Sequence, residues 1–200
     1  KKNFQRLPAA IRKKTKDCKA GIMVDLAEGE ILWQKNASQV RAIASMTKMM
    51  TALALMEGIE KNPEVSLSTE VDITEEAADI GGRQVYLDPR ETFSLNELLK
   101  CMMIFSANDA AYQIAQFIGE GDVGDFLNRM NTLASELGLQ KTTFNTPHGL
   151  PGSKGVYDKS TPLEMASLAA TLMQYPEVIK WSSTRLDYIR ENSPRFDRFQ

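Results

Sequence analysis

Histidine occurs once in this 200-residue chain, as His148, and cysteine twice, as Cys18 and Cys101, with no Cys-x-x-Cys pair. So few metal-binding side chains, so widely spaced, argue against a metal site. Two cysteines would permit one disulfide, but a count of two does not establish it. Aromatic residues are sparse at 8% of the chain. They do not interleave with a basic tract, so the usual mark of a nucleic-acid binder is missing. No apolar run reaches the eighteen or so residues of a membrane-spanning helix. No charged-then-apolar signal segment opens the chain either, and the expectation is a soluble polypeptide from which any targeting signal would have been removed. Repeats and low-complexity tracts are absent.

What is present is core-forming material. Hydrophobic residues make up 42% of the chain, enough for one large domain or a domain with an inserted lobe. The net charge of −2 is unevenly spread. Residues 1–19 hold eight Lys/Arg and one acid, Asp17, so this arm carries +7 and the remainder −9. A basic arm of this kind can touch an anionic surface, but a solvated terminal segment is the simpler reading.

Periodicity gives a coarse map. Residues 20–35 read as a hairpin turning at Glu28-Gly29, with Ile22, Val24, Leu26, Ile31 and Trp33 alternating toward one face. A helix is expected from about 45 to 57, closed by Gly58. Residues 64–93 read as short strands and loops. Ser94-Leu95-Asn96-Glu97 is a capping box for a helix carrying Leu98, Leu99, Met102 and Met103. A break at Ser106-Ala107-Asn108 precedes a second helix, Asp109 to Ile118, and a third runs from about Val123 to Leu137. After a Thr-, Pro- and Gly-rich loop, Thr161-Pro162-Leu163-Glu164 is a second capping box for a helix to about Tyr175. A short helix follows Pro176, and Tyr188-Ile189-Arg190 is a candidate strand. A two-stranded hairpin is marginal alone, so its sheet awaits partners that the tail can scarcely supply.

Ser45-Met46-Thr47-Lys48 is the first candidate for chemistry. Residues three apart share a helix face, and Ser45 falls at a helix start, where free amides can support an oxyanion. Lys48, set among methionines and alanines, would lose solvation and with it basicity, which suits a base that takes the serine proton. Taken alone, the pair favours the plain reading. Ser-x-x-Lys arises by chance roughly once in a chain this long, and such a lysine can snorkel from a partly buried helix. A serine–lysine acyltransferase also needs a Ser-x-Asn element. Ser94-Leu95-Asn96 is accounted for by helix capping. Ser106-Ala107-Asn108 is a close contest between capping the next helix and projecting a hydroxyl and an amide into a cleft.

Together these stretches resemble the low-molecular-mass penicillin-binding D-alanyl-D-alanine carboxypeptidases. Ser45-Met46-Thr47-Lys48, preceded by Arg41-Ala42-Ile43-Ala44, is similar to their first motif, and Phe105-Ser106-Ala107-Asn108-Asp109 to their second. Thr143-Phe144-Asn145-Thr146-Pro147-His148-Gly149-Leu150 and Ser160-Thr161-Pro162-Leu163-Glu164 resemble the stretch that follows. Gly81-Gly82-Arg83-Gln84-Val85-Tyr86-Leu87 resembles the loop that rims their active site. The resemblance implies a β-lactamase/transpeptidase-like α/β (α+β) fold, with a helical lobe over about 58–160 inserted in a mixed sheet. It implies that Ser45 is the acylated nucleophile, Lys48 its base, and Ser106 a proton shuttle. Asn108 would hold the substrate amide, Leu150 would line the pocket for the D-alanine methyl, and His148 would be a structural turn residue. No metal or cofactor is implied. The substrate would be a peptidoglycan stem peptide, β-lactams would be covalent inhibitors, and the setting would be extracytoplasmic.

The chain departs from the pattern in lacking the family's third motif, Lys-Thr-Gly. Lys154-Gly155 and Lys159-Ser160-Thr161 do not match it. The expectation is therefore a basic arm over 1–19 and a domain over 20–200 that is incomplete at its C-terminus. The missing wall would come from a further segment or a complementing chain, with any membrane association lying there too. Arg195 and Arg198 are candidates for the substrate carboxylate. A non-catalytic peptidoglycan-binding protein and a β-lactamase are the rival readings. For the latter, Glu91 followed by Leu95-Asn96 mimics a deacylating element in the wrong order.

Overall fold

The computed structural model describes residues 13–152 and 155–191. Most of the basic arm, Lys154, Pro194, Arg195 and Arg198 lie outside the described residues.

The hairpin forms where alternation places it. Strand β1 (Gly21–Asp25) pairs antiparallel with β2 (Glu30–Lys35), from Asp25 opposite Glu30 to Gly21 opposite Lys35. Asp25 Oδ1 accepts from Ala27 N and Glu28 N at 3.0 and 3.2 Å, and Gly29 takes the positive φ of 66° that the turn requires. The register shifts between Met23 and Val24, so β2 carries one extra residue and strict alternation fails. Ile31, expected on the inner face, is exposed beyond this shift, as is Leu32, whereas Leu26, also expected there, is exposed because it falls in the turn after β1, and Met23 points outward.

A 3-10 turn, Ala44–Thr47, leads into helix α1 (Lys48–Lys61), which is buried on nearly every side. An all-round apolar helix belongs at the centre of a lobe, and α1 packs against most of the other long helices. Gly58 does not end it. The helix continues to Lys61, and a Cβ on Gly58 would come within 3.2 Å of Ile118, so this glycine admits a neighbour instead of stopping a helix.

Strand β3 (Arg41–Ala42) pairs with β6 (Lys159–Ser160), and β4 (Glu70–Asp72) with β5 (Thr92–Ser94). A one-turn helix, α2 (Glu75–Ala78), follows β4 under a Thr74 cap. Helix α3 (Leu95–Phe105) starts at a full capping box: Ser94 Oγ accepts from Glu97 N, and Glu97 Oε2 accepts from Ser94 N. Helix α4 (Asn108–Ile118) ends at Gly119. Helix α5 (Val123–Glu136) is capped by Asp122, and Gly138 turns the chain away with a φ of 72°. Helix α6 (Pro162–Leu172) covers the hairpin on its β1 side, and α7 (Pro176–Ser183) lies along α3.

At α6 only half of the expected capping box forms. Thr161 Oγ1 accepts from Glu164 N at 3.2 Å. The Glu164 carboxylate turns instead to Lys141 N at 3.0 Å and Thr142 Oγ1, fastening the preceding loop. The architecture is thus mixed α/β, a helical lobe with small antiparallel sheets. Both cysteines are free thiols. Burial pushes the Cys101 thiol up to about 12, so it is inert at neutral pH.

Tyr188-Ile189-Arg190 is not a strand, because Arg190 has a better use. Its Nε and Nη2 grip Glu91 at 2.7 and 2.8 Å, and its Nη1 and Nη2 donate to the carbonyls of Val85 and Tyr86 at 3.2 and 2.9 Å. Its side chain is only 2% exposed, and its backbone adopts a φ of 63° to reach the position. Arg190→Ala strands a half-buried carboxylate and frees the 85–86 segment. The expected loss is about 3 kcal/mol of unfolding free energy, read by urea denaturation.

Candidate active site

Ser45 sits in the 3-10 turn, exposed to solvent, and Lys48 opens α1 one turn later at 3% exposure. Ala44, just before the serine, holds a positive φ of 47°, a conformation that costs a residue with a Cβ about 1–2 kcal/mol. Lys48 Nζ makes three bonds: to Asn108 Oδ1 at 2.7 Å, to the His148 carbonyl at 2.7 Å, and to Ser45 Oγ at 3.4 Å. The first two partners can only accept. When the amine is neutral it keeps two N–H donors and gains a lone pair. The two short bonds claim the donors, so the lone pair faces Ser45, the one partner with a proton to give. Burial, helped by the charge of Arg83 and opposed by that of Asp109, lowers the Lys48 pKa to about 8. The neutral amine is therefore a minority form near neutral pH, but one far more populated than in an ordinary lysine.

Asn108 is held from two sides. Its backbone N–H donates to the Arg83 carbonyl at 2.7 Å, and its Nδ2 donates to the Gly81 carbonyl at 2.9 Å. The second bond fixes the amide so that Oδ1 faces Lys48. Gly82, at a φ of 81°, passes so close that a Cβ would lie 2.6 Å from Asn108 Nδ2 and 3.3 Å from Leu150 Cδ2. Ser106 ends α3 in the left-handed region, with a φ of 61° and ψ of 36°. It lies two residues from Asn108, half-buried, while its hydroxyl takes no part in the three Lys48 bonds.

The Thr146–Leu150 turn closes the far side of Lys48. Gly149, at a φ of 90°, crosses the Ala44–Ser45 peptide: a Cβ there would overlap the Ala44 carbonyl and stand 2.9 Å from Ser45 N. His148 contributes its carbonyl to Lys48. Its ring accepts from Leu150 N at 3.2 Å through Nδ1, and burial followed by the nearby Lys48 charge lowers its pKa to about 4. It is a neutral turn residue at physiological pH. Thr51 Oγ1 donates to the Pro147 carbonyl at 2.6 Å, binding this turn to α1.

Two buried acids, not anticipated from sequence, organise the surroundings. Asp158 accepts from Thr47 Oγ1 at 2.7 Å, Thr146 Oγ1 at 2.9 Å, Asn145 N at 2.6 Å and Thr146 N at 3.1 Å. It thereby couples the serine turn to the histidine turn. Asp109 accepts from Val85 N and Leu87 N at 3.1 Å each and from Ala110 N at 2.9 Å, which fixes the 81–87 rim. Ser94-Leu95-Asn96 is structural: Ser94 caps α3 and Asn96 Oδ1 accepts from Trp181 Nε1 at 2.9 Å. Among the described residues, no group of three or more His, Cys, Asp or Glu is arranged to hold a metal.

The chain matches the model of the D-alanyl-D-alanine carboxypeptidase family, peptidase S11, over residues 8–198. It belongs to this family. The D-alanyl-D-alanine carboxypeptidase DacF of Bacillus subtilis is 38% identical over 179 residues, covering 90% of this chain and 45% of the relative. Among solved structures, the D-alanyl-D-alanine carboxypeptidase DacD of Francisella tularensis has a TM-score of 0.75 at 31% identity, covering 88% of this chain and 44% of that one. Penicillin-binding protein D2 of Listeria monocytogenes, in its ampicillin-bound form, has a TM-score of 0.72 at 30% identity, covering 83% and 66%. The carboxypeptidase-family chain thus spans about half the length of the curated relatives it matches.

Proposed function

We propose that the protein is a serine-type D-Ala-D-Ala carboxypeptidase acting on peptidoglycan stem peptides at the extracytoplasmic face of the cell. Ser45 Oγ attacks the carbonyl between the two D-alanines while its proton passes to Lys48. The C–N bond then breaks, Ser106 hands its proton to the departing amine and takes the one held by Lys48 in its place, and D-alanine leaves. Water hydrolyses the resulting Ser45 ester and restores the hydroxyl. Asn108 holds the substrate amide, and Leu150, packed beside Gly82, lines the methyl pocket. The wiring of Lys48 carries this reading: two partners that only accept and one that donates turn a buried amine into a base aimed at one hydroxyl.

A third wall belongs beside Ser45. An apolar groove of about 410 Å³ runs from Gly21 and Ile22 of β1, past Ile43 and Met46, to Met165 of α6. The hairpin next to it leaves Met23 and Ile31 exposed. We place there a further strand, from the same or a complementing chain, bringing a cation and a hydroxyl to the cleft. Among the described residues no helix is long and apolar enough to cross a membrane.

The test is mass spectrometry of the protein after labelled penicillin, with D-alanine release measured on a pentapeptide. A stable adduct on the Ser45 peptide, lost in Ser45→Ala, supports the reading. Penicillin held without a covalent bond would favour a binding protein, and rapid penicillin hydrolysis a β-lactamase. Against the latter, Glu91 is engaged by Arg190 at 2.7 Å.

A further inference from the structure

The loop that rims the cleft is stapled at nearly every residue. Gly81 and Arg83 accept from Asn108, Val85 and Leu87 donate to Asp109, and Val85 and Tyr86 accept from Arg190. A backbone so fully committed holds its side chains in fixed positions. Two of those side chains face solvent: Arg83 and Tyr86, the latter 63% exposed. The Arg83 guanidinium lies 5.4 Å from the ring centroid of Phe105, itself exposed and adjacent to Ser106. No acidic side chain among the described residues pairs with Arg83. Two arginines near this loop differ from it: Arg190 and Arg90 each close the Nε–Nη2 edge on a carboxylate, at 2.7 to 2.8 Å. Arg83 is therefore an open two-pronged donor, stacked on an aromatic ring, on a rigid mount beside the candidate catalytic serines.

We propose that Arg83 and Phe105 form a substrate subsite that selects a side-chain carboxylate on the peptide, N-terminal to the D-alanine pair. The subsite rests on the acyl-transfer reading of Ser45. The leaving D-alanine is the same in every substrate, so a group that distinguishes substrates must read the acyl side. Phe105 supplies an apolar floor for the aliphatic stem of that residue, and Arg83 takes its two oxygens. A contact at a partly solvated rim sits at the low end for a charged hydrogen bond, a preference of about tenfold.

The experiment uses two peptides ending in D-Ala-D-Ala that differ at one position N-terminal to that pair, bearing either a side-chain carboxylate or its carboxamide. Affinities are measured by calorimetry on the Ser45→Ala protein, and kcat/KM on the protein with Ser45 intact. The expected carboxylate-to-carboxamide ratio is about ten in both. It falls to about one in Arg83→Gln, is partly kept in Arg83→Lys, and shrinks as salt rises. The ratio is the informative quantity, because the Arg83 charge also acts on Lys48 and its loss changes both peptides alike. A ratio of one in the parent protein, or one unchanged by Arg83→Gln, overturns the subsite. An equal loss of affinity for both peptides in Arg83→Gln leaves the ratio unchanged and overturns it as well. Failure of the parent reading looks different: no Ser45 adduct forms with either peptide or with penicillin, whatever the binding ratio.

Discussion

Replacing Lys48 with methionine lowers the rate of Ser45 acylation by about three orders of magnitude, within the range lost when a general base is removed. Methionine fills the volume of the lysine stem but has no proton acceptor of comparable strength. Lys48→Arg fails as well, since a guanidinium stays protonated at any working pH. The methionine also leaves Asn108 Oδ1 and the His148 carbonyl without their Lys48 donor, so some stability is lost too, and a denaturation curve separates that loss from the loss of rate. The parent protein has a pH signature. The reactive form is the neutral amine, so the acylation rate rises with pH through about 8, where Lys48 loses its proton, and levels off above it. Stopped-flow acylation by a fluorescent penicillin across pH 6 to 10 reads this directly. A profile flat through about pH 8 would remove Lys48 from the base role.

Gly149→Ala has the second large effect, on stability and activity together. The added Cβ overlaps the Ala44 carbonyl, and the φ of 90° is one that alanine avoids. Both conflicts are with backbone, so no side-chain adjustment relieves them. Either the His148 turn retreats, which withdraws a carbonyl from Lys48, or the Ser45 turn shifts. The expected cost is about 3–5 kcal/mol in urea unfolding, with acylation slowed at least as much as in a variant that merely weakens the base. Gly152→Ala is the control from the same loop, because its Cβ meets nothing closer than 3.4 Å.

How much of this was legible beforehand follows from how local each signal is. Ser45 and Lys48 share a turn, and Asn108 follows Ser106 by two, so spacing marks all four as candidates, while the choice between chemistry and helix capping rests on the family resemblance of the surrounding stretches. The Ser94 capping box is equally local and reads correctly down to its reciprocal bonds. The partners that give these residues their chemistry are not local. A backbone carbonyl such as that of His148 has no side-chain identity to betray it. Asp158 and Asp109 look like ordinary loop and helix-start acids until folding surrounds them with donors. Gly58 and Arg190 misled for a related reason. A glycine stops a helix in isolation but admits Ile118 in context, and β-favouring residues around Arg190 yield to a buried ion pair. Ile31 is exposed beyond one extra residue in β2, which periodicity does not reveal, and Leu26 falls in the turn after β1.

With Ser45 as the proposed nucleophile, the bonds to Lys48 also set a time at which it becomes reactive. Two of its three partners lie 60 and 100 residues further along the chain. Until those segments are in place, the lysine is a solvated ammonium near its ordinary pKa of 10.5, and Ser45 is an unremarkable hydroxyl. On the proposed mechanism, a chain still being synthesised therefore carries no armed nucleophile. Reactivity arrives with the last long-range contacts, so covalent labelling of Ser45 would report completion of the fold as well as occupancy of the cleft.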